Sequence, residues 1–273
     1  MDDSTLDAFA DWERKSWELR AQAYADLIGV LTCPAVRTLL DAGRVAAGTR
    51  VLDVATGPGF VAGAAAERGA TVTAIDQSAA MVSIARSRLP ELDVRQASVE
   101  ELGLPDSSYD AVVGGFVLNH LARPEKGVAE LARVLAPGGW LALSVWDLPA
   151  VNRVTGLLAE VVAEVGIRGV LPAGPDATRF ADHGILTDLL IGADLHEVQV
   201  YGVRWFVDVE PGAWFDAVGR GMPRSGAVLA QADETQYAEA RQMYVARCLA
   251  DHGDGSGLVR LPAAGVIGCG RRT

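Results

Sequence analysis

Short apolar runs alternate with helix-like segments in the first half of the chain. Five runs have the length of β-strands, at residues 50–54, 71–75, 92–96, 109–113 and 140–145. The segments between them carry apolar residues at helical spacing or a helix-capping residue, at residues 60–68, 78–88 and 125–135. Because strands and helices alternate, the pattern predicts a parallel, doubly wound α/β sheet.

Further helical patterns lie on both sides of this alternation. Before the first strand, apolar residues recur at loosely helical spacing over residues 12–31, and residues 38–42 continue as a short helix. After residue 147, helices are predicted at 152–165, 184–192, 211–218 and 233–249, and strands at 197–209 and 258–269. The chain is long enough for one domain, or for one domain with a cap.

The first strand and the first helix of this alternation are joined by the sequence Val-Leu-Asp-Val-Ala-Thr-Gly-Pro-Gly, residues 51–59. Gly57 and Gly59 let the backbone come close to a ligand and tolerate positive φ. The amides and the helix N-terminus of such a strand–turn–helix unit bind nucleotide-type cofactors. The next apolar run ends in Asp76, an acid placed to accept hydrogen bonds from both hydroxyls of a ribose. The sequence therefore predicts an adenosine-containing cofactor.

Two classes of adenosine cofactor are compatible with this unit. Residues 57–62 match the G-x-G-x-x-G/A fingerprint of dinucleotide-binding domains. However, about fifty residues precede the first strand, whereas dinucleotide-binding domains usually begin close to it. Downstream, residues 131–146 carry the pattern of a helix, a Pro-Gly-Gly turn and a strand. These surroundings make NAD the less favoured cofactor.

The ordered set of glycine turn, Asp76, segment 105–113 and Pro-Gly-Gly turn resembles the class I S-adenosylmethionine-dependent methyltransferases. Within them it is similar to the small-molecule group related to the ubiquinone- and menaquinone-type enzymes. The resemblance covers residues 12–146 and returns at residues 261–269. It implies a Rossmann-like seven-stranded sheet with an antiparallel last strand and a helical cap. In that fold the last two strands form a hairpin at the edge of the sheet.

The resemblance also implies how a single domain over residues 1–273 is organised. Residues 1–48 would form N-terminal cap helices, and residues 49–147 would form the cofactor-binding core. Residues 148–273 would supply cap segments on the acceptor side and the closing edge strands. Residues 210–256 would be inserted between the last two strands.

By the same resemblance, S-adenosylmethionine is the cofactor and S-adenosylhomocysteine its product. The residues that would contact it are Tyr24, Asp53, Ala55, Thr56, Gly57, Gly59, Asp76, Gln77, Met81, Ala97, Ser98, Val99, Gly115 and Phe116. Backbone groups of Ala55, Thr56 and Gly57 would meet the methionine part. Asp53 would support that loop and the ammonium group, and Tyr24 would touch the carboxylate end.

At the other end of the cofactor, Asp76 would bind the ribose, and Gln77 and Met81 would flank the ribose and the adenine. Two positions depart from the family pattern. Many relatives have an Asp after the third strand that accepts a hydrogen bond from the adenine amino group, whereas this chain has Ser98, a neutral and weaker acceptor. Ala55 replaces the commoner first glycine of the turn, which is tolerable where the backbone stays in the β region.

Methyl transfer to a hydroxyl or to an acidic carbon also requires a base. His120 is the candidate, because it follows the fourth strand, where the resembled fold brings the chain beside the transferred methyl group. Alternatively, it bonds to the backbone or lines the cofactor. Five aromatic residues are candidates for the wall of an acceptor pocket: Trp146, Phe180, Trp205, Phe206 and Trp214. Trp205 and Phe206 are adjacent on a predicted strand, so they should face opposite sides.

Composition limits the possible partners. The formal net charge is −11, so the chain would be repelled by phosphate backbones, and nucleic acid is not expected as a substrate. Three cysteines without a C-x-x-C pair and four scattered histidines predict neither a disulfide framework nor a metal site. No apolar stretch is long enough to span a membrane, and the acidic first residues lack a secretion signal, so we expect a cytoplasmic protein.

The function predicted from these features is methyl transfer from S-adenosylmethionine to a small organic acceptor, such as a secondary metabolite or a quinone-like compound. Two alternatives remain open on the same fold. One is a cyclase or isomerase that retains the cofactor without methylating, and the other is a non-catalytic, methyltransferase-like partner subunit. The sequence also leaves open the acceptor atom and whether the chain forms a homodimer.

Overall fold

A seven-stranded sheet forms the centre of the protein in a computed structural model that describes residues 1–253 and 255–273. The strands are β1 (Arg50–Val54), β2 (Thr71–Asp76), β3 (Asp93–Gln96), β4 (Tyr109–Gly114), β5 (Leu135–Trp146), β6 (Leu195–Val209) and β7 (Val259–Arg272). Their order across the sheet is β3-β2-β1-β4-β5-β7-β6. Strands β1 to β5 pair in parallel, and β7 pairs antiparallel with β5 and β6. The predicted seven-stranded sheet with an antiparallel last strand is confirmed.

Helices cover the sheet and form the cap. They are α1 (Asp3–Ala23), α2 (Cys33–Ala42), α3 (Phe60–Glu67), α4 (Ala79–Arg88), α5 (Pro124–Val134), α6 (Arg153–Val165), α7 (His183–Gly192), α8 (Pro211–Gly221), α9 (Pro223–Leu229) and α10 (Glu234–His252). The helix predicted at residues 12–31 begins earlier, because Asp2 accepts a hydrogen bond from the Thr5 amide and caps α1. It continues as a π-helical turn (Tyr24–Ile28) and a 3-10 turn (Gly29–Leu31). Within the described residues, no helix is both long enough and apolar enough to cross a membrane.

The central strands bring three loops to one edge of the sheet. In the register of β1, Val54 pairs with Ile75 of β2, and Asp53 pairs with Val113 of β4. Because these strands are parallel, the loops that follow them emerge side by side. The order of the strands reverses at β1, and ligands of open α/β sheets bind at such a switch point.

Alternating side chains of the strands fill two cores, one on each face of the sheet. Leu52 and Val112 belong to one buried cluster, whereas Val51 and Val113 belong to the other. A third cluster joins α6, α8 and α10 to β6 and β7. Helices α6, α8 and α10 are therefore packed onto the same sheet that carries the loops.

The start of β5 differs from the prediction. The strand begins at Leu135, so the Pro-Gly-Gly segment is an irregularity within a strand and not a turn before one. Tyr109 pairs with Leu135, while Ala111 already pairs with Trp140. Gly138 absorbs the extra length with φ at +84°, a conformation that glycine adopts without steric cost.

The segment between β6 and β7 also contains one more helix than its sequence pattern predicts. It contains α8, α9 and α10, and the sequence does not predict α9, a helix of only seven residues. Asp254, which falls in this predicted insertion, lies outside the described residues.

Candidate functional site

A cavity of about 1000 Å³ opens to solvent beside the carboxyl ends of β1, β2 and β4. Residues of α1 and of the π-helical turn close one side of it. Most of the predicted site residues line this cavity: Tyr24, Ala55, Gly57, Asp76, Gln77, Met81, Ala97, Ser98, Val99, Gly115, Phe116 and His120. The fold thus brings together residues from five separate stretches of the chain.

Three predicted site residues lie away from the wall of this cavity. Thr56 lines an adjoining cavity of about 440 Å³, which shares Gly57 with the first. Asp53 is completely buried beneath the turn, and its Oδ2 accepts a hydrogen bond from Thr56 Oγ1 at 2.5 Å. Gly59 caps α3 with φ at +89°, and a Cβ there would come within 2.5 Å of Leu89. Asp53 and Gly59 therefore support the turn from behind and do not face the main cavity.

The backbone of the glycine turn is left-handed at Ala55 and Gly57 as well as at Gly59. Ala55 has φ at +51° and Gly57 has φ at +54°, so the condition under which an alanine is tolerable at position 55, a backbone in the β region, is not met. For a residue with a Cβ this costs about 1–2 kcal/mol, and such strain is concentrated at functional sites. The Thr56 amide donates to the Ile75 carbonyl at 2.9 Å and holds the turn against β2. A Cβ on Gly57 would have only Tyr24 nearby, at 4.0 Å, so the turn leaves room for a ligand.

Asp76 ends β2 and binds the neighbouring loop. Its Oδ2 accepts from the Gly57 amide and its Oδ1 from the Ser78 amide, each at 2.9 Å. Burial raises the pKa of Asp76 to about 6, although the two amides act in the opposite direction. Within the described residues, no lysine or arginine forms an ion pair with Asp76. A buried carboxylate without a cation, at the wall of a cavity, is a strong acceptor for neutral donors such as hydroxyls.

A second carboxylate, missed in the sequence, ties α1 to the start of α4. Glu18 accepts from Ser78 Oγ at 2.6 Å and from the Ala80 amide at 3.1 Å. Amides at the start of a helix lack partners within the helix, so the carboxylate satisfies one of them and interacts favourably with the helix dipole. This contact fixes the part of α1 that places Trp17 on the cavity wall and that leads into the π-helical turn with Tyr24.

The end of β3 is where the missing family Asp was expected. Ser98 lines the cavity, and its Oγ already accepts from the Glu100 amide at 3.2 Å. Glu100 also lines the cavity, with Oε1 accepting from the Arg123 amide at 2.9 Å. A carboxylate is therefore present near this end of the cavity, two positions later than the family pattern indicates. Sequence spacing alone gave no signal for it.

His120 ends a 3-10 turn that follows β4, and its ring lies on the cavity wall. Its Nδ1 lies 2.9 Å from Oε2 of Glu13, a completely buried carboxylate on α1 that the sequence analysis missed. The Trp17 ring packs edge-on against the imidazole, with centroids 5.1 Å apart. The imidazole of His120 thus forms its hydrogen bond with a side chain and not with the backbone. In the part of the chain that the structure describes, no group of three or more His, Cys, Asp or Glu is arranged to hold a metal ion.

Of the five aromatic residues predicted for an acceptor wall, Trp146 lines the cavity. It stacks on Phe116 with centroids 4.1 Å apart. Trp205 packs behind Trp146, and its Nε1 donates to the Leu31 carbonyl at 2.9 Å. Phe206 is 57% exposed, so adjacent residues do face opposite sides of β6.

Neither Trp205 nor Phe206 lines the cavity, and the predictions for Phe180 and Trp214 are wrong for a packing reason. Phe180 is buried in the core cluster under α7, and Trp214 is buried in the cluster that joins α8 to β6 and β7. Neither ring reaches the cavity, because both are needed to cover the sheet. Met222, which follows α8, forms part of the cavity wall instead.

Comparisons with known proteins agree with this geometry. The family model of a methyltransferase domain matches residues 52–143. A ubiquinone biosynthesis O-methyltransferase from Dechloromonas aromatica is 31% identical over 211 residues, which cover 75% of this chain and 88% of that protein.

Other relatives match over a shorter length. A demethylmenaquinone methyltransferase from Renibacterium salmoninarum is 36% identical over 113 residues, 41% of this chain and 48% of that protein. The chain thus spans about half the length of this curated relative. Among solved structures, a protein described as a methyltransferase from an antibiotic biosynthesis pathway of Anabaena variabilis superposes with a TM-score of 0.60 at 18% identity. It covers 90% of this chain and 98% of its own, and it shows the shared fold.

The burial of Asp53 predicts how stability depends on pH. Burial raises its pKa from 3.8 to about 7, so the folded protein holds this proton more tightly than the unfolded chain does. The contribution of Asp53 to the free energy of unfolding should therefore fall as pH rises from about 4 to about 7. The free energy of unfolding of Asp53→Asn, relative to that of wild type, should therefore rise by roughly 1–4 kcal/mol from pH 5 to pH 8, at about 1.4 kcal/mol per pKa unit.

Urea denaturation of both proteins at the two pH values measures this difference. Asp188→Asn, on the exposed face of α7, is the matched control and should show no such change. A stability difference between wild type and Asp53→Asn that is equal at pH 5 and pH 8 would contradict the raised pKa of Asp53.

Proposed function

The chain belongs to the class I S-adenosylmethionine-dependent small-molecule methyltransferases, and we propose that it transfers a methyl group from S-adenosylmethionine to a small, largely apolar organic acceptor. One observation carries this proposal. A single cavity has the ribose-type acceptor Asp76 and the glycine turn on one part of its wall, and a histidine and aromatic rings on another.

The residues present fit the cofactor. The ribose hydroxyls would donate to Asp76, which has an ionisable carboxylate but no cationic partner among the described residues. The methionine part would lie against the open face of Gly57. Burial raises the pKa of Tyr24 to about 12, so its hydroxyl stays protonated and can donate to the methionine carboxylate. Met81 and Val99 offer apolar contact to the adenine.

When bound, S-adenosylmethionine supplies an electrophilic methyl group on a positively charged sulfur. The protein then has two tasks, which are to align the acceptor with that methyl group and to remove its proton. Trp17, Phe116 and Trp146 form flat apolar walls that would orient a planar acceptor. We assign His120 as the group that takes the proton.

The lining of the cavity also favours a class of acceptor. No lysine or arginine lies among its described lining residues, so an acceptor recognised through a phosphate or carboxylate group is disfavoured. The apolar aromatic wall and the names of the quinone-pathway relatives support a quinone-like compound or a secondary metabolite of similar shape.

Calorimetric titration with S-adenosylhomocysteine, and in parallel with NADH, tests the cofactor. We expect S-adenosylhomocysteine to bind in roughly the micromolar range, about −8 kcal/mol, and NADH not to bind. Binding of NADH alone would overturn the proposal, and binding of neither would indicate a non-catalytic partner subunit. Product analysis with cofactor and acceptor separates methyl transfer from a cyclase or isomerase, because only methyl transfer consumes the cofactor.

Substitution of Asp76 tests the ribose contact. Asp76→Ala should weaken S-adenosylhomocysteine binding by about 1–3 kcal/mol, because the ribose hydroxyls lose a charged acceptor. Asp76→Asn should also weaken binding, because its amide nitrogen would face the Gly57 or the Ser78 amide, and both of these are donors. Asp93→Ala, on the exposed side of β3, is the control and should bind as wild type does.

The same contact sets a pH dependence. Because the ionised carboxylate is the better acceptor and the pKa of Asp76 is about 6, affinity in wild type should decline as pH falls below 6. Unchanged affinity in Asp76→Ala, with an unchanged melting temperature, would remove Asp76 from the ribose role.

Substitution of His120 tests the base. With an acceptor found in a panel of small phenols and enolisable ketones, His120→Ala should slow methyl transfer by roughly 10²- to 10⁴-fold. The dissociation constant of S-adenosylhomocysteine should change little. His183→Ala, in which an exposed histidine at the start of α7 is removed, is the control. A parallel loss of cofactor affinity in His120→Ala would instead make His120 a cofactor-lining residue.

A further inference from the structure

We propose that Glu13 is a positioning residue for His120. Its buried carboxylate holds the imidazole in the tautomer that carries its proton on Nδ1 and leaves Nε2 free to accept one. The catalytic use of this arrangement rests on the proposed methyl transfer. The arrangement itself is a property of the protein without any ligand and can be measured as such.

The geometry around both ring nitrogens supports the same tautomer. Oε2 of Glu13 lies 2.9 Å from Nδ1, and an ionised carboxylate can only accept a hydrogen bond, so Nδ1 must donate. On the other side, the amide Nδ2 of Asn119 lies 3.4 Å from Nε2. An amide nitrogen can only donate, so this long contact is also compatible with an unprotonated Nε2. The partner of one ring nitrogen decides which nitrogen carries the proton.

The carboxylate of Glu13 is buried, so its charge would be costly without a cation beside it. It is fully buried on α1 between the ring of His120 and the side chain of Arg224. Nη2 of Arg224 lies 3.3 Å from Oε1 and also donates to the Asn119 carbonyl at 3.2 Å. The guanidinium in turn packs over the ring of Phe9, 5.2 Å from its centroid. The guanidinium places a positive charge beside the buried carboxylate, which offsets part of the cost of burying it.

Three distant parts of the chain contribute to this group. Glu13 comes from α1, His120 from the turn after β4, and Arg224 from the first turn of α9. Trp17 also packs against the imidazole, in an edge-on arrangement with the ring centroids 5.1 Å apart. The imidazole is thus held by one directed hydrogen bond and by packing.

The proton balance of the step follows from this tautomer. As the new bond forms between the acceptor atom and the methyl carbon, the bond from that carbon to sulfur breaks and its electron pair goes to sulfur. The proton of the acceptor moves to Nε2 of His120. The resulting imidazolium carries protons on both nitrogens, and the charge of Glu13 lies 2.9 Å from one of them. The carboxylate therefore orients the base before the reaction and stabilises its charged form afterwards.

Nitrogen NMR of the full chain, with ¹⁵N-labelled histidine and no ligand at pH 8, tests this proposal. The chain has four histidines, and the spectrum of His120→Gln identifies the signals of His120. We expect the form protonated on Nδ1 to exceed the other form by roughly 10- to 150-fold, since a hydrogen bond to a charged acceptor favours it. In Glu13→Leu, which keeps the volume without the acceptor, the form protonated on Nε2 should become predominant.

Asp11→Asn is the matched control, because it removes an exposed carboxylate of the same helix that pairs with Lys15 and not with His120. It should leave the tautomer of His120 unchanged, which separates loss of Glu13 from a general change in the charge of α1. If Glu13→Leu does not fold, the wild-type spectrum still decides. A wild-type His120 protonated on Nε2, or on both nitrogens at pH 8, would overturn the proposal.

Titration of the same samples with S-adenosylhomocysteine separates the two proposals. If the wild-type protein binds this compound but His120 is protonated on Nε2, only the role of Glu13 is disproved and the cofactor assignment stands. Wild type with the expected tautomer that does not bind disproves the cofactor assignment and leaves the Glu13 contact intact.

Discussion

The hydrogen bond from the Gly57 amide to the Asp76 carboxylate is the contact on which the geometry of the site depends. It joins the turn after β1 to the end of β2, so neither loop can move alone. The same carboxylate accepts from Ser78, the residue that caps α4. One buried acid therefore sets the positions of a turn, a strand end and a helix start. It can do so because the parallel register places the two strand ends side by side, and because burial excludes the water that would compete for its oxygens.

The parts of the fold that follow from local patterns could be predicted from the sequence. β1 and the capped start of α4 agree with their predicted positions, since apolar periodicity and a capping serine act over a few residues. The left-handed backbone at Ala55 could not be predicted, because alanine rarely adopts it and the bond from Thr56 to Ile75 that holds the turn exists only in the folded sheet. The extra residues at the start of β5 have the same origin, since only pairing with β4 shows that the strand has already begun.

The residues of the candidate site could likewise be predicted only where a local pattern indicated them. Asp76 and the glycine turn were found because short spacing along the chain indicated them. Glu13 and Arg224 were not found, because their relation to His120 exists only after α1 and α9 have packed; Glu13 and His120 are 107 positions apart. Buried charged residues on helices are indistinguishable in sequence from exposed ones, since both interrupt an apolar pattern. The aromatic residues did not identify the wall of the acceptor pocket, because an indole or phenyl ring suits a core and a pocket equally well.

Helix α1 carries two acids that act at different ends of the cavity, Glu18 at the start of α4 and Glu13 at the imidazole. Five positions along a helix correspond to a rise of about 7.5 Å, and the backbone between them is rigid. Any displacement of one acid must therefore be felt by the other. A ligand that orders α1 at one end of the cavity would lower the free energy needed to order the helix at the other end, and thermodynamic linkage would make this effect mutual. One helix thus connects the two ends of the cavity mechanically.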